Sequence, residues 1–427
     1  MSGLALIAQA LGAEVTGSDR ADSSYTRRLR EHGIEPVIGH RAENLPPGAE
    51  IVYSTAVTAE NPERAAARAA GSPELHRADL LAEIARHKRL LAVTGTHGKT
   101  TTTAMIVHVL RACGLDPAYV VGGELQDTGA NAGWGKGEWI VVEADESDRS
   151  LLKLSPEIAV LTNAELDHHS TYASWPDLAA TFTEFMGRAK TGVVWNRPEL
   201  LALCRSERVV PFDAEQPVLE PAGASFRWHE HHVSLALPGL HNAVNAAGAL
   251  TACAAAGADP STAAAALGSF HGTRRRLERL GETGPGVPVY DDYAHHPTEV
   301  AAALAAARTL GARRVIALFQ PHLYSRTSAL AREFGGALAG ADACGVLDVY
   351  PARERSEDFP GVSGRLIAVA AADAAPGRQV AWLPDFAAAR AWLDATLRAG
   401  DLLLLMGAGN VDGLGRALVG PPPPPLA

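Results

Sequence analysis

Cysteine is scarce in this chain: four in 427 residues, at Cys113, Cys204, Cys253 and Cys344. They lie far apart and form no C-x-x-C pair, which argues against a zinc ribbon or a disulfide framework and leaves them as small core residues. Long apolar runs are missing too, and none approaches the roughly 20 residues of a membrane span, so no membrane is expected as a partner. The opening residues show no charged segment followed by an apolar one, which predicts a cytoplasmic protein. Positive charge is in deficit, with 38 basic against 48 acidic residues and a net charge of −10. No basic tract carries interleaved aromatics, so no nucleic acid is expected, and nothing in the pattern points to a stable protein partner. An acidic chain that binds a polyanion must concentrate its cations locally. Lys99, the run Arg274, Arg275 and Arg276, and Arg326 are the candidates.

What is present is a soluble globular composition, 47% hydrophobic and 20% charged, in a chain too long for one core. The fold class is α/β, in three domains. Residues 1–88 alternate helix (4–11), strand (13–16), helix (23–32) and strands (36–38, 51–54). This is a Rossmann-like unit without its first strand, because Met1-Ser2-Gly3 stands where a glycine loop should be ending. The true start is therefore expected upstream. Ser18 and Asp19 follow the 13–16 strand, where such folds place an acidic ligand contact. Residues 89–274 hold a parallel sheet with strands at 90–93, 139–142 and 158–161, then a hairpin of 225–228 and 233–237. The tip of that hairpin, His229-Glu230-His231-His232, reads as a solvated turn rather than a metal site. Residues 275–427 form a second Rossmann-like domain, with strands at 287–290, 314–319, 345–349, 380–383 and 402–406 and helices at 298–309, 327–338 and 386–399. The proline run 421–425 is predicted to be a disordered polyproline II end.

Residues 94–103 read T-G-T-H-G-K-T-T-T-T between a strand and a helix. Glycines and a helix start free backbone N–H groups to face an anion, Lys99 adds a cation, and the Thr100 hydroxyl can hold Mg2+. The usual loop carries a glycine where this chain has Val93, so this is a shorter variant of the ATP- or GTP-binding loop. In an open parallel sheet, ligands sit beyond the carboxyl ends of the strands. There stand Glu143, a hard oxygen ligand suited to Mg2+, and His168, which binds a second Mg2+, orients phosphate, or is structural. Asn242 and Asn245 share a helix face and suit a purine edge or a helix cap. Arg276 and its neighbours clamp phosphate or form a solvated basic turn. In the third domain Tyr293, His295, His322 and Arg326 follow two strand ends and suggest a pocket for a small anion such as an amino acid.

Taken in order, G-T-H-G-K-T-T-T, E-A-D-E-S-D, T-N-A-E-L-D-H, L-P-G-L-H-N-A-V-N-A, F-H-G-T-R-R-R, D-D-Y-A-H-H-P-T-E and F-Q-P-H-L-Y-S-R-T resemble the Mur ligases of peptidoglycan synthesis over essentially the whole chain. The last two resemble the branch whose acceptor is L-alanine. The resemblance implies a UDP-sugar domain, a central ATPase and a C-terminal domain that brings the amino acid. It implies phosphorylation of the UDP-N-acetylmuramate carboxylate by ATP, then attack by L-alanine. By the same resemblance Gly95, Thr96, His97, Gly98, Lys99, Thr100 and Thr101 form the phosphate loop, Thr100 and Glu143 hold one Mg2+, and His168 holds a second. Asn242 and Asn245 contact adenine, Asp292 the ribose, and Arg276 phosphate. Ser18 and Asp19 belong to the UDP-sugar site, and Tyr293, His295, His322 and Arg326 to the amino acid pocket.

This chain departs from its relatives at Leu323, where many have arginine, and in the absent N-terminal glycine loop. The stretch 181–186 lacks the lysine that several relatives carbamylate. A ligase that takes a whole tripeptide is the alternative, followed by a P-loop ATPase without ligase activity. A nicotinamide enzyme would need a glycine fingerprint that is missing. Lys99→Ala is predicted to abolish turnover and leave the fold intact.

Overall fold

A computed structural model describes residues 1–168, 171–221 and 223–420; the proline run 421–425 lies outside them. The centre is a seven-stranded sheet whose strands lie in the order Arg208–Phe212, Thr191–Trp195, Ile158–Leu161, Arg89–Thr94, Trp139–Glu143, Ala118–Val120 and Ala132–Gly133. All neighbours run parallel except the last pair. Its inner strands are unbroken apolar runs because both faces are covered. Leu91, Val93, Val141 and Val160 enter one core and Leu90, Ala92, Ile140 and Leu161 the other, the two-residue alternation of a pleated strand. The helix Lys99–Ala112 packs on the first face beside Leu240–Ala255.

The C-terminal sheet has the order Glu278–Glu282, Pro288–Asp292, Asp401–Met406, Arg314–Phe319, Ala343–Leu347 and Gln379–Leu383. Only the first pair is antiparallel. The strand expected at 345–349 is displaced to Ala343–Leu347. Pairing stops there because the Asp348 carboxylate accepts the N–H groups of Val349 and Gly364 at 2.9 Å each and turns the chain. Sequence reading also missed the strands Glu215–Glu220 and Glu278–Glu282 and the helices Gly364–Ala374 and Val411–Val419.

The N-terminal region holds two separate parallel pairs, Ser18–Asp19 with Val37–Ile38 and Ile51–Tyr53 with Glu74–His76. The strand expected at 13–16 does not form, since those residues have no pairing partner among the described residues; the ladder begins only at Ser18. The helix Ser24–Glu31 starts where expected, because Ser23 and Thr26 cap one another's backbone N–H groups. Cys204, Cys253 and Cys344 are buried and Cys113 half-buried, all as free thiols. Among the described residues no helix is long and apolar enough to cross a membrane. The 229–232 histidines join no metal-ligand group there.

Two adjacent glycines in the helix Tyr324–Leu338 give opposite expectations. A Cβ on Gly335 would sit 2.5 Å from the backbone of Ala370 in the neighbouring helix, whereas one on Gly336 meets nothing within 4 Å. Gly335→Ala should force the helices apart and destabilise by about 1–3 kcal/mol. Gly336→Ala should be neutral or stabilise by up to about 1 kcal/mol through helix propensity. Urea unfolding of the two variants beside the parent checks both.

Candidate active site

The strand Arg89–Thr94 delivers the phosphate loop, and two glycines let it turn. Gly95 has φ +132° and Gly98 φ +78°, a region that side chains rarely enter. Each is also pressed by a neighbour: a Cβ on Gly95 would lie 2.1 Å from the Thr162 hydroxyl and one on Gly98 2.5 Å from the Asn245 amide oxygen. Residues beyond the adjacent strand brace the loop from below. The Asn163 side chain accepts the His97 N–H at 2.8 Å and donates to its carbonyl at 2.9 Å, and the Thr162 hydroxyl donates to the same carbonyl at 2.7 Å. The Thr96 hydroxyl bonds the backbone of Glu165. Thr162, Asn163 and Glu165 were not among the expected site residues, although they stand in the T-N-A-E-L-D-H motif.

The first turn of the next helix carries Lys99, Thr100 and Thr101. The Lys99 ammonium lies 2.8 Å from Glu146, whose side chain is 1% exposed, and donates to the carbonyls of Gly95 and Thr96. Burial opposes its charge, but Glu146, Asp145 and Glu143 more than offset this and lift its pKa above the ordinary lysine value. Thr100 donates to Glu143 at 2.9 Å, and the Gly122 N–H donates to the same carboxylate at 2.7 Å. Burial pushes Glu143 up despite Lys99, the state of a carboxylate that a further cation would relieve. The His168 Nε2 stands 3.2 Å from Glu146. Lys99 and His168 therefore share one Glu146 oxygen, Oε1, while Thr100 bonds a second carboxylate, Glu143. Asn245 abuts Gly98, while the Asn242 amide donates to the Pro238 carbonyl at 2.8 Å.

The C-terminal domain closes on this loop through charged contacts. His97 lies 3.4 Å from Glu165 through Nε2 and 3.4 Å from Glu299 through Nδ1. Burial disfavours its charge, but these two carboxylates raise its pKa to about 9. Glu165 accepts the Thr298 hydroxyl at 2.6 Å across the seam, and the His97 and Thr298 bonds outweigh burial to hold it at about 2. Arg326, 3% exposed, makes a two-pronged pair with Asp167 at 3.0 and 3.0 Å. Burial notwithstanding, Arg326 holds Asp167 well below the carboxylate range. The three arginines 274–276 take separate carboxylates: Glu124 at 2.7 Å, Asp291 at 3.1 Å and Glu299 at 3.7 Å. The segment is a turn in which Arg274 is exposed while Arg275 and Arg276 are half-buried.

Tyr293, His295, His322 and Arg326 come together. The ring centroids of Tyr293 and His295 are 5.3 Å apart and those of His295 and His322 6.1 Å, and Arg326 Nη1 is 3.4 Å from His322 Nδ1. Burial keeps both histidines neutral, with pKa values of about 3 for His295 and about 4 for His322. Asp292 sits at the seam with both oxygens accepting backbone N–H groups, from Leu277 and Ala294; burial raises it to about 6. Ser18 and Asp19 lie in the N-terminal domain, where Ser18 bonds His40 and Glu63.

The chain matches three family descriptions in succession: "Mur ligase family, catalytic domain" over residues 1–89, "Mur ligase middle domain" over 93–253 and "Mur ligase, glutamate ligase domain" over 275–409. It is 43% identical over 441 residues to the UDP-N-acetylmuramate–L-alanine ligase of Streptomyces coelicolor, covering 98% of this chain and 94% of that one. The chain belongs to the Mur ligase family. The corresponding enzyme of Kineococcus radiotolerans is 45% identical, with 97% and 92% covered. Among solved structures, the UDP-N-acetylmuramate-alanine ligase of Thermotoga maritima superposes with TM-score 0.84 at 26% identity, covering 98% of this chain and 95% of that one. A murein peptide ligase of Psychrobacter arcticus shares the fold at TM-score 0.73 and 23% identity, with 98% and 95% covered.

In this Mur ligase the Lys99–Glu146 pair changes one expectation. From sequence, Lys99→Ala costs activity alone. Removing the lysine leaves Glu146 buried, so we expect a stability loss of about 3–5 kcal/mol. Adding Glu146→Gln should recover most of that loss and none of the turnover; chemical denaturation and an ATPase assay read the two effects separately.

The seam should also respond to pH. His97 has its pKa raised from 6.5 to about 9, so its contribution is whole below about 6.5 and is lost as pH rises through 9. Glu165 is lowered from 4.5 to about 2, so its contribution is whole above about 4.5 and is lost as pH falls toward 2. Thermal midpoints should therefore be highest between these limits and fall on the alkaline side, and His97→Gln should flatten the alkaline fall.

Proposed function

We propose that this chain is an ATP-dependent ligase that joins L-alanine to the carboxylate of UDP-N-acetylmuramate. The observation that carries the reading is the juxtaposition across one seam of an anion-binding loop with an amino acid pocket, linked by the Asp167–Arg326 pair. A carboxylate is a poor acyl donor. It attacks the terminal phosphorus of ATP, ADP leaves, and the resulting acyl phosphate is open to the neutral amine of L-alanine. The amide forms as phosphate departs and the amine's proton is lost. Because phosphoryl transfer offers little covalent work for the protein, positioning and charge neutralisation supply the catalysis.

Each group has a place in that scheme. The loop N–H groups and Lys99 bind the phosphates of ATP, and Arg276 stands across the seam to meet the transferring group. Asn242 and Asn245 are assigned to the purine and Asp292 to the ribose. Thr100 and Glu143 would hold one Mg2+ and His168 a second. The burial-raised Glu143 suits such an ion, and bound Mg2+ supplies charge neutralisation to the triphosphate. Arg326 keeps Nη1 free of Asp167, aimed toward His322, and we place the L-alanine carboxylate there, between neutral His295 and His322 and beside Tyr293. Ser18 and Asp19 are assigned to the UDP-sugar. ATP and a UDP-sugar as substrates place the reaction in the cytoplasm.

A coupled phosphate-release assay tests the reading. Release should require UDP-N-acetylmuramate, ATP, Mg2+ and L-alanine together. Equal stimulation by the tripeptide would favour the tripeptide ligase, and release indifferent to the UDP-sugar would mark a plain ATPase. Arg326→Lys, which keeps the charge but loses the fork, should raise KM for L-alanine about tenfold or more, the worth of one charge-assisted hydrogen bond at ~1.5–3 kcal/mol. KM for ATP should stay within about twofold of the parent, since Arg326 is not assigned to the nucleotide.

A further inference from the structure

His97, Glu165 and His296 form a second constellation at the seam, apart from Thr100, Glu143 and His168. Their ligand atoms all lie within 4.8 Å of one another. The Glu165 Oε2 is 3.4 Å from His97 Nε2 and 3.7 Å from His296 Nδ1. A tetrahedral ion with bonds near 2.0–2.1 Å sets its ligand atoms about 3.4 Å apart, so two edges of that tetrahedron are already close to their required length. Two imidazoles and one carboxylate suit Zn2+ rather than Mg2+, which prefers oxygen and octahedral geometry. A supporting partner is in place as well: the other ring nitrogen of His97, Nδ1, faces Glu299 at 3.4 Å, the carboxylate–histidine arrangement that orients metal-bound imidazoles.

We propose that these three side chains form a zinc-class cation site that bridges the middle and C-terminal domains. His97 and Glu165 belong to the phosphate loop and the strand end beside it, and His296 caps the first helix of the C-terminal domain. An ion held by all three fastens that domain against the loop. On binding, the Nε2 proton of His97 is released to solvent, the Nδ1 proton stays directed at Glu299, the Glu165 oxygen exchanges its His97 contact for the metal, and the His296 Nδ1 lone pair exchanges the Thr298 N–H, 3.4 Å away, for the metal while the Nε2 proton stays in place. The Thr298 hydroxyl, now on Glu165 Oε2, keeps the second carboxylate oxygen as an acceptor.

The test uses the full chain without nucleotide and Zn2+ as the probe, with bound metal counted after equilibrium dialysis. The parent protein should bind one equivalent more than His296→Asn, a variant whose side chain can still cap the helix. A triple variant His229→Ala, His231→Ala, His232→Ala controls for the surface histidines and should bind as the parent does. Zn2+ should raise the thermal midpoint of the parent and not that of His296→Asn. Glu165→Gln should lose the same equivalent and decides the matter if His296→Asn does not fold. Parental stoichiometry in the His296 and Glu165 variants, or loss confined to the triple variant, overturns the proposal.

Discussion

A charge taken out of water must be met by an opposite charge or neutralised, and this constraint organises the seam between the middle and C-terminal domains. Among the described residues Lys99, His97 and Arg326 show it. Lys99 is met by Glu146, His97 by Glu165 and Glu299, and Arg326 by Asp167. Four of these residues, Lys99, His97, Glu165 and Asp167, come from the loops at the ends of just two adjacent strands, Arg89–Thr94 and Ile158–Leu161. The short segment after the second strand thus serves two masters. Asn163 shapes the phosphate loop, while Glu165 and Asp167 reach across to Thr298 and Arg326.

It follows that closure and nucleotide binding draw on the same side chains. A triphosphate entering the loop brings negative charge to Lys99, which already has Glu146 as its partner, and a ligand must offer more than that carboxylate does. Glu146 is shared in turn, since His168 Nε2 stands 3.2 Å from it. His168 thus meets the counter-charge of the lysine, while Thr100 bonds a different carboxylate, Glu143.

The parallel cores were legible because an unbroken apolar run such as 90–93 or 158–161 reads as a strand covered on both faces. The strand ends then pointed to the residues that the fold brings together at the seam, Lys99, Glu143, His168 and Arg326 among them, since ligands in such sheets gather there. What stayed hidden has specific causes. Glu215–Glu220 and Glu278–Glu282 are edge strands with little apolar signal, so only their pairing reveals them. Glu299 lies four residues after His295 on a helix that reads as alanine-rich packing, and its contacts to His97 and Arg276 come from two other segments. Asp167 and Glu165 sat inside a recognised motif, yet their partners are more than 130 residues away in sequence. No periodicity encodes a pairing of that kind.

Leu323 shows how the charge constraint shapes the amino acid pocket. Its backbone lies at φ +71°, costly for a branched side chain, and it is held there by its neighbours: its N–H donates to Tyr350 at 3.0 Å, and its carbonyl accepts both the N–H and the hydroxyl of Thr327. The backbone therefore fixes the turn from which the helix carrying Arg326 starts. Leu323 itself is buried and carries no charge, and the cation that stands in this turn is Arg326, paired with Asp167. With Leu323 apolar, Arg326 and Asp167 remain a matched buried pair, which is what the charge constraint requires of a closed seam.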